Sequence, residues 1–423
     1  MELPHEILLL IMRLAGAWRA TDENGVAVCM EWLHAGMVCR DMYLAFDADV
    51  ECRTLAMLDR IHPPWVIEQR ALVAAATISD MGVCRRLMQH HSARADECNA
   101  LSVAAAAGHV DVCRLLMEHG ARADAVGSEA LRLAADAGYA DVCRVLMDRA
   151  VAGEQHYAKA DANFNSPLRV AAREGHADIC RLLMDPEVAG EHHCAKADDL
   201  NSIALHLAAR EGHADVCRLL MDRAVAGAQH YAKADDQGSI ALHLAAREGH
   251  ADVCRLLMDR AVAGAQHYAK ADDQGSSALR NAAAGGHADV CRLLMDRAVA
   301  GEEHYARADD QNSRPLRVAA AAGYADICRL LMDPVVAGDQ HYAKANANFS
   351  WPLRVAAARG YADICRLLMD PAVAGEHYAG ADAECCEALR LAAAAGHEDV
   401  CRLLLDRPGI SQRTRRHMQR SLR

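Results

Sequence analysis

A segment of 37 residues that recurs along the chain constrains this protein more than any other feature. Cys143, Cys180, Cys217, Cys254, Cys291, Cys328 and Cys365 fall at that step inside near copies of "DVCRLLMD"; shorter copies precede them at Cys84 and Cys113, and a last one follows at Cys401. A unit this small cannot hold a core of its own and must lay its apolar face on its neighbours, so the chain is expected to be an all-α solenoid of stacked units. The copy from Ser202 to Tyr231, "SIALHLAAREGHADVCRLLMDRAVAGAQHY", represents the set.

Within that copy Leu205, Ala208 and Ala209 fall at i, i+3 and i+4, which predicts one face of a short helix. Gly212 is placed to end it, because glycine enters the left-handed region without a Cβ clash. A second helix is expected at once, with Asp215 in its first turn, where a carboxylate suits the helix dipole, and Val216, Leu219 and Leu220 on its apolar face. The stretch from about 224 to 238 is rich in Gly, Asp and Gln and reads as an extended, hairpin-like finger leading to the next unit.

"ALHLAAREGHADVCRLLMD" closely resembles the ankyrin repeat, and Ser166-Pro167-Leu168 and Arg314-Pro315-Leu316 look like its helix-opening Thr-Pro-Leu-His. Ser166 is expected to act as the helix cap, with Pro167 at the first helical position. The resemblance covers about residues 65–409 in ten units, with departures: the ankyrin period is about 33 residues, so the central units carry about four more, placed here in the finger around "AVAGEQHYAK".

The interior must be built from Ala, Leu and Val, since 52% of residues are hydrophobic but only 4% aromatic. Formal charge is −12, although the end from Arg407 onward holds six arginines and no acid. An acidic body argues against general nucleic-acid binding. The basic tail, 410–423, reads as a solvated helix end, with nuclear import or an anionic partner as its functional alternative. Ten of the 17 cysteines share one helix position a whole repeat apart, where they act as small buried hydrophobes. That usage suits a reducing compartment. Glu2 and Glu6 precede the N-terminal apolar run and Arg13 interrupts it, unlike a signal peptide, and no run reaches membrane-spanning length. Cytosol or nucleus is the expected location.

Residues 1–50 lie outside the repeat. Leu3, Pro4, Ile7, Leu8 and Ile11 predict a proline-started amphipathic helix, and "CMEWLHAGMVCRDMYLAF" follows. Together "LPHEILLLI" and "MVCRDMYLA" resemble an F-box, with about ten extra residues between the halves and no tryptophan after Val-Cys-Arg. The resemblance implies a three-helix module that docks the Skp adaptor of a cullin-RING ubiquitin ligase, with Leu3, Pro4, Ile7, Leu8 and Ile11 making the first contact and Leu33, Val38 and Cys39 contributing from later helices. The alternative is that these helices only cap the first repeat. Residues 51–64 form a link ending in Pro63-Pro64, a stiff stop, and Trp65 opens the first repeat.

His176 and Cys180 stand i to i+4, a spacing able to ligate metal, but Tyr139, Tyr324 and Tyr361 replace the histidine in other units. His230, His267, His304, His341 and His377 recur before the end of the finger and could form a ladder that binds a metal, senses pH or simply stacks. No phosphate loop or nucleophile-base-acid set stands out, so neither an enzyme nor a cofactor is expected. Function should lie where the repeat varies. Arg173-Glu174, Arg210-Glu211 and Arg247-Glu248 occupy the two positions before the turn in three consecutive units, giving way to Ala321-Ala322 and Ala394-Ala395. The residue after the helix-opening leucine is Arg169, Arg280, Arg317, Arg354 and Arg390 but His206 and His243. Phe164, Phe349 and Trp351 are the other candidates, either as rings that seal the finger or as anchors for a target.

The expected function is that of an interaction adaptor: an ankyrin array recruiting a target protein, and an F-box-like module docking a ubiquitin ligase, similar to proteins abundant in large DNA viruses of eukaryotes and so acting in the host cell if viral. The alternatives are a plain ankyrin binder, without ubiquitin machinery, and a metal-binding repeat protein. A monomer is expected.

Overall fold

The computed structural model describes residues 72–90, 99–379 and 385–407. The F-box-like module with Leu3, Pro4, Ile7, Leu8, Ile11, Leu33, Val38 and Cys39, the link, Trp65 and the basic tail lie outside the described residues.

Among those described every regular element is helical, and the helices come in ten pairs, as the period predicts. The chain divides into two compact units, Met1–Lys196 and Ala197–Arg423. In the first unit the pairs are 72–77 with Met81–His90, Ala100–Ala106 with Val110–Glu118, Ala125–Asp136 with Ala140–Met147, and Ala162–Glu174 with Ala177–Met184. In the second they are Asp199–Glu211 with Ala214–Met221, Asp236–Glu248 with Ala251–Met258, Asp273–Gly285 with Ala288–Met295, Asp310–Ala322 with Ala325–Met332, Ala347–Arg359 with Ala362–Leu368, and Cys385–Ala394 with Glu398–Leu405. Within each unit the first helix of a pair packs on the first helix of the next, and second helices do the same.

The core is the same set of positions repeated. In the representative copy Leu205, Ala208 and Ala209 are buried in the first helix and Val216, Cys217, Leu219, Leu220 and Met221 in the second. Gly212 ends the first helix at φ 87°, and a Cβ there would also meet the His250 ring of the next repeat at 2.6 Å. His250 Nε2 donates to the Arg210 carbonyl at 3.0 Å, and His287 does the same to Arg247, so one repeat supplies a donor to an orphan carbonyl near the end of its neighbour's helix. Tyr324 fills the corresponding place over Gly286, and Tyr361 over Gly323. The histidine–tyrosine exchange noted in the sequence is thus a choice between two rings that cover one glycine.

Two expectations are corrected. The segment after the second helix is not extended throughout. In most of the long repeats its first residues wind into a single helical turn, as in Pro186–Ala189, Arg260–Ala263 and Pro334–Ala337. The cause is local: Asp259 accepts from the Ala261 N–H at 2.8 Å, Asp185 and Asp333 make the same cap, and Pro186 and Pro334 hold the first position. The helix boundary falls one residue before Ser166. Asn163, Phe164 and Asn165 form a left-handed turn with φ of 49°, 56° and 53°, so the regular helix that runs to Glu174 starts directly after Asn165, with Ser166 and Pro167 already in its first turn.

That left-handed turn recurs, and its third residue is a buried hydrogen-bond hub. Ser276 Oγ accepts from the Arg307 N–H at 3.0 Å and donates to Asp310 Oδ2, both in the next repeat. Ser202 and Ser239 make the same pair of bonds, and Ser128 and Ser313 accept the same backbone donor. In the first unit Asn165 Oδ1 takes the serine's place, accepting from the Lys196 N–H.

Candidate functional site

The finger histidines join neighbouring repeats. His193 Nδ1 lies 3.2 Å from Asp161, His267 3.2 Å from Asp235, His304 3.3 Å from Asp272 and His341 3.4 Å from Asp309, each aspartate belonging to the preceding repeat. His230 approaches Asp198 to 3.3 Å without hydrogen-bond geometry. Except for His230, which follows a finger with Cys194 in that place, each ring also meets the tyrosine of the preceding finger edge-on or tilted, as Tyr231 meets His267 with centroids 6.1 Å apart, and Arg223 lies 4.6 Å over Tyr231. The arrangement is a stack of guanidinium, phenol and imidazole closed by a carboxylate. Its carboxylates are engaged one per histidine, and among the described residues no group of three or more His, Cys, Asp or Glu side chains is placed to hold a metal ion.

His176 Nε2 reaches the Asp136 carbonyl at 3.3 Å, while Cys180 is buried. The cysteines that mark the repeat are all buried, from Cys84 to Cys401. Burial pushes the thiols of Cys113, Cys143, Cys291 and Cys328 up to about 12, and those of Cys217 and Cys254 higher still. They are poor nucleophiles, since reactivity belongs to the thiolate. Cys194, outside the repeated position, is half-buried.

The paired charges before the turn satisfy one another. Arg173 lies 2.6 Å from Glu174 and 2.8 Å from Asp136, Arg210 2.7 Å from Glu211, and Arg247 3.6 Å from Glu248. These side chains remain partly exposed, so the pairs contribute little to stability, about 0–1 kcal/mol each. Phe164 and Phe349 do not seal the fingers: at 66% and 68% exposure they stand out from the left-handed turns. Trp351 is half-buried, with the Arg317 guanidinium 4.9 Å over its ring. Val126 and Leu200, in equivalent turns, are likewise exposed.

Sequence reasoning missed the serine hub and the histidine–aspartate pairing. Both signals were present as fixed offsets: a serine 34 residues before an aspartate, and an aspartate 32 residues before a histidine, recurring at the period of the repeat.

Helix pairs joined by a left-handed glycine turn, a finger after each pair, and cores that close only against the next copy are the geometry of one family. Its model, "Ankyrin repeats (3 copies)", matches residues 72–156, 149–233, 168–271 and 262–345, which overlap to cover more than half of the chain. The chain belongs to the ankyrin-repeat family. No curated relative matches it. Ankyrin repeats serve protein–protein interaction, and the partly exposed first-helix residues and turn tips of this array are the parts that its own packing leaves accessible. Among the described residues no helix is long and apolar enough to cross a membrane.

Proposed function

We propose that this protein is an adaptor whose ankyrin array recruits a target protein and whose N-terminal segment docks a Skp-type adaptor of a cullin-RING ubiquitin ligase. The observation that supports the first half is the array itself, a family match from residue 72 to 345 with Arg173, Glu174, Arg210, Glu211, Arg247 and Glu248 along successive first helices and Phe164, Phe349 and Trp351 at the turns. The second half is supported by the sequence alone, by the Leu-Pro and Val-Cys-Arg segments with Leu3, Pro4, Ile7, Leu8, Ile11, Leu33, Val38 and Cys39. In this role the protein catalyses nothing. It holds a target lysine near a ligase-bound ubiquitin carrier and so raises the effective concentration of the reacting pair. Ten cysteines used as buried hydrophobes at one repeated helix position support the cytosol or nucleus, of a host cell if the protein is viral, as the place of action, and we take the working form to be a monomer.

The test is affinity capture with wild type and with Leu8→Asp combined with Ile11→Asp. Charge placed in an apolar interface should abolish capture of Skp and cullin and leave the melting of the repeats and the remaining partner unchanged. A wild type that captures a partner without Skp or cullin, and a double variant that destabilises the first repeats, would replace this reading by that of a plain ankyrin binder with an N-terminal cap. That second reading needs only the array, which the family match covers.

A further inference from the structure

The residue after the buried leucine of the first helix is basic in most repeats, and its neutralisation varies. Arg132 is held by Glu129 at 2.7 Å, and Arg390 by Glu387 at 2.6 Å, in each case a carboxylate three residues earlier on the same helix. Three consecutive repeats of the second unit omit this arrangement. Three residues before Arg280, Arg317 and Arg354 stand Ser277, Arg314 and Trp351. Arg280 therefore donates to the neutral Ser277 Oγ at 2.9 Å and Arg314 to Gln311 Oε1 at 2.9 Å, while Arg317 lies against Trp351. Among the described residues none of these four guanidiniums has a carboxylate within ion-pair distance, although Glu387 in the next repeat, bonded to Arg390, is near enough to Arg354 to feel its charge.

This is an unfavourable way to use arginine if stability were the only demand. The Nε atoms of Arg317 and Arg354 are buried without a hydrogen-bond partner, a cost that an apolar or paired side chain would avoid. Burial first, and then the like charge of Arg314, hold the Arg280 and Arg317 guanidiniums below the usual arginine range. Four residues further along the same helices, on the same face, stand Ala284, Ala321 and Ala358, where the two preceding repeats carry Arg210 and Arg247 with their own glutamates. At these three positions the face beside the arginines carries only a methyl group.

We propose that this face, Arg280, Arg314, Arg317 and Arg354 with Trp351 at its edge, binds an acidic segment of a partner protein, an extended stretch carrying several Asp or Glu residues. The inference rests on the protein-binding reading above and gives the chemistry of the partner. Guanidinium and carboxylate match as planar, bidentate partners, and the row offers one such site per repeat along consecutive helices. A peptide suits the site better than a nucleic acid, because the chain as a whole carries −12. A long polyanion is repelled by that total, whereas a short acidic stretch meets mainly the local field within a screening length of about 8 Å.

The test uses the full chain and fluorescein-labelled twelve-residue peptides, one with alternating Glu and Gly and one with Gln in place of Glu, together with a single-stranded oligonucleotide of equal charge. Anisotropy should show binding of the Glu peptide only, weakened as salt rises, and the emission of Trp351 should change on addition of the unlabelled Glu peptide but not in Trp351→Phe. Arg314→Glu places at this helix the carboxylate that Arg132 and Arg390 possess, leaves Arg317 in place, and should weaken binding by about tenfold or more. Arg354→Gln should weaken it also, and Arg329→Ala, at an exposed arginine on the second helix Ala325–Met332, should not. Circular dichroism melting identifies any variant that fails to fold, and each of the two row variants serves if the other does. Equal affinity for the Glu and Gln peptides, tighter binding of the oligonucleotide, or unchanged affinity in folded Arg314→Glu and Arg354→Gln would overturn the proposal. A protein partner captured equally by wild type and Arg314→Glu would also overturn it while leaving the protein-binding reading standing; an array that captures no protein at all would remove both.

Discussion

Ser276→Ala tests whether the repeats are tied together by side-chain hydrogen bonds or only by apolar contact. Ser276 is fully buried, accepts from the Arg307 N–H at 3.0 Å and donates to Asp310 in the next repeat. Removing the hydroxyl leaves a backbone donor unpaired, which costs about 1–3 kcal/mol, while the half-buried Asp310 carboxylate can turn to water. The void left by one oxygen adds little. We therefore expect about 2 kcal/mol at this junction. A global melting curve gives the direction of a change in such an array but not its size at one junction, since repeats can open one junction at a time. Amide hydrogen exchange resolves the effect locally: the Arg307 amide should exchange about thirtyfold faster, the factor that about 2 kcal/mol implies, with the neighbouring repeats following to a lesser degree and Lys159, in the first unit, unchanged. An Arg307 amide as protected in the variant as in wild type would show that the hub adds nothing and that the stacking of Leu279 and its equivalents suffices.

Phe349→Gly should leave thermal stability unchanged or raise it by about 1 kcal/mol, because an exposed ring at φ 59° loses no packing and the left-handed conformation costs a non-glycine residue about that amount; a large fall in melting temperature would show that the ring packs after all. Thiol titration of the native protein should find Cys254 and its equivalents slow and Cys194 faster than any of them, and Cys254→Ala should cost about 1 kcal/mol or less; ready labelling of the repeated cysteines would refute this. Burial, opposed in part by Asp236 and Asp273, holds His206 and His243 below the usual histidine range. The unfolded chain then binds protons first on acidification, so the contribution of these residues is complete above about pH 6.5 and declines as pH falls through that value toward their lower folded pKa. His206→Leu with His243→Leu should flatten the fall of melting temperature between about pH 6.5 and 5, and an unaltered acid dependence would exclude these two as its source.

Much of the fold is legible in the sequence because a repeat protein states its core many times. The 37-residue step, the Leu–Ala–Ala face and the glycine after it specify the two helices and their ends, and each copy corroborates the others. Less was legible where the conformation depends on the adjacent repeat. Nothing in "NFNSPL" or "DQGSIAL" by itself requires three residues in the left-handed region. Asparagine and glycine tolerate it, but phenylalanine and leucine do so at a cost, and the turn persists in both kinds of repeat because its third residue is bonded to the next copy. The short helix in the finger was readable in principle, since an aspartate cap followed by proline is a local signal, and it was masked by the glycine-rich residues that follow.

The candidate surface divides in the same way. Sequence alone determined that Arg173, Arg210 and Arg247 each have a glutamate beside them, and the structure pairs them as adjacency suggests. It also determined which residues occupy the row from Arg280 to Arg354, but whether a charge is compensated is a matter of distance. Only the tertiary structure decided that Arg173 also reaches Asp136 of the preceding repeat, that Arg317 lies over a tryptophan 34 residues away, and that Phe164 and Phe349 face solvent. The physical reason is range. Helix periodicity and capping act over three or four residues and are written in the local sequence, whereas exposure and ion pairing depend on which copy of the repeat lies alongside, and near-identical copies present nearly the same sequence to different neighbours.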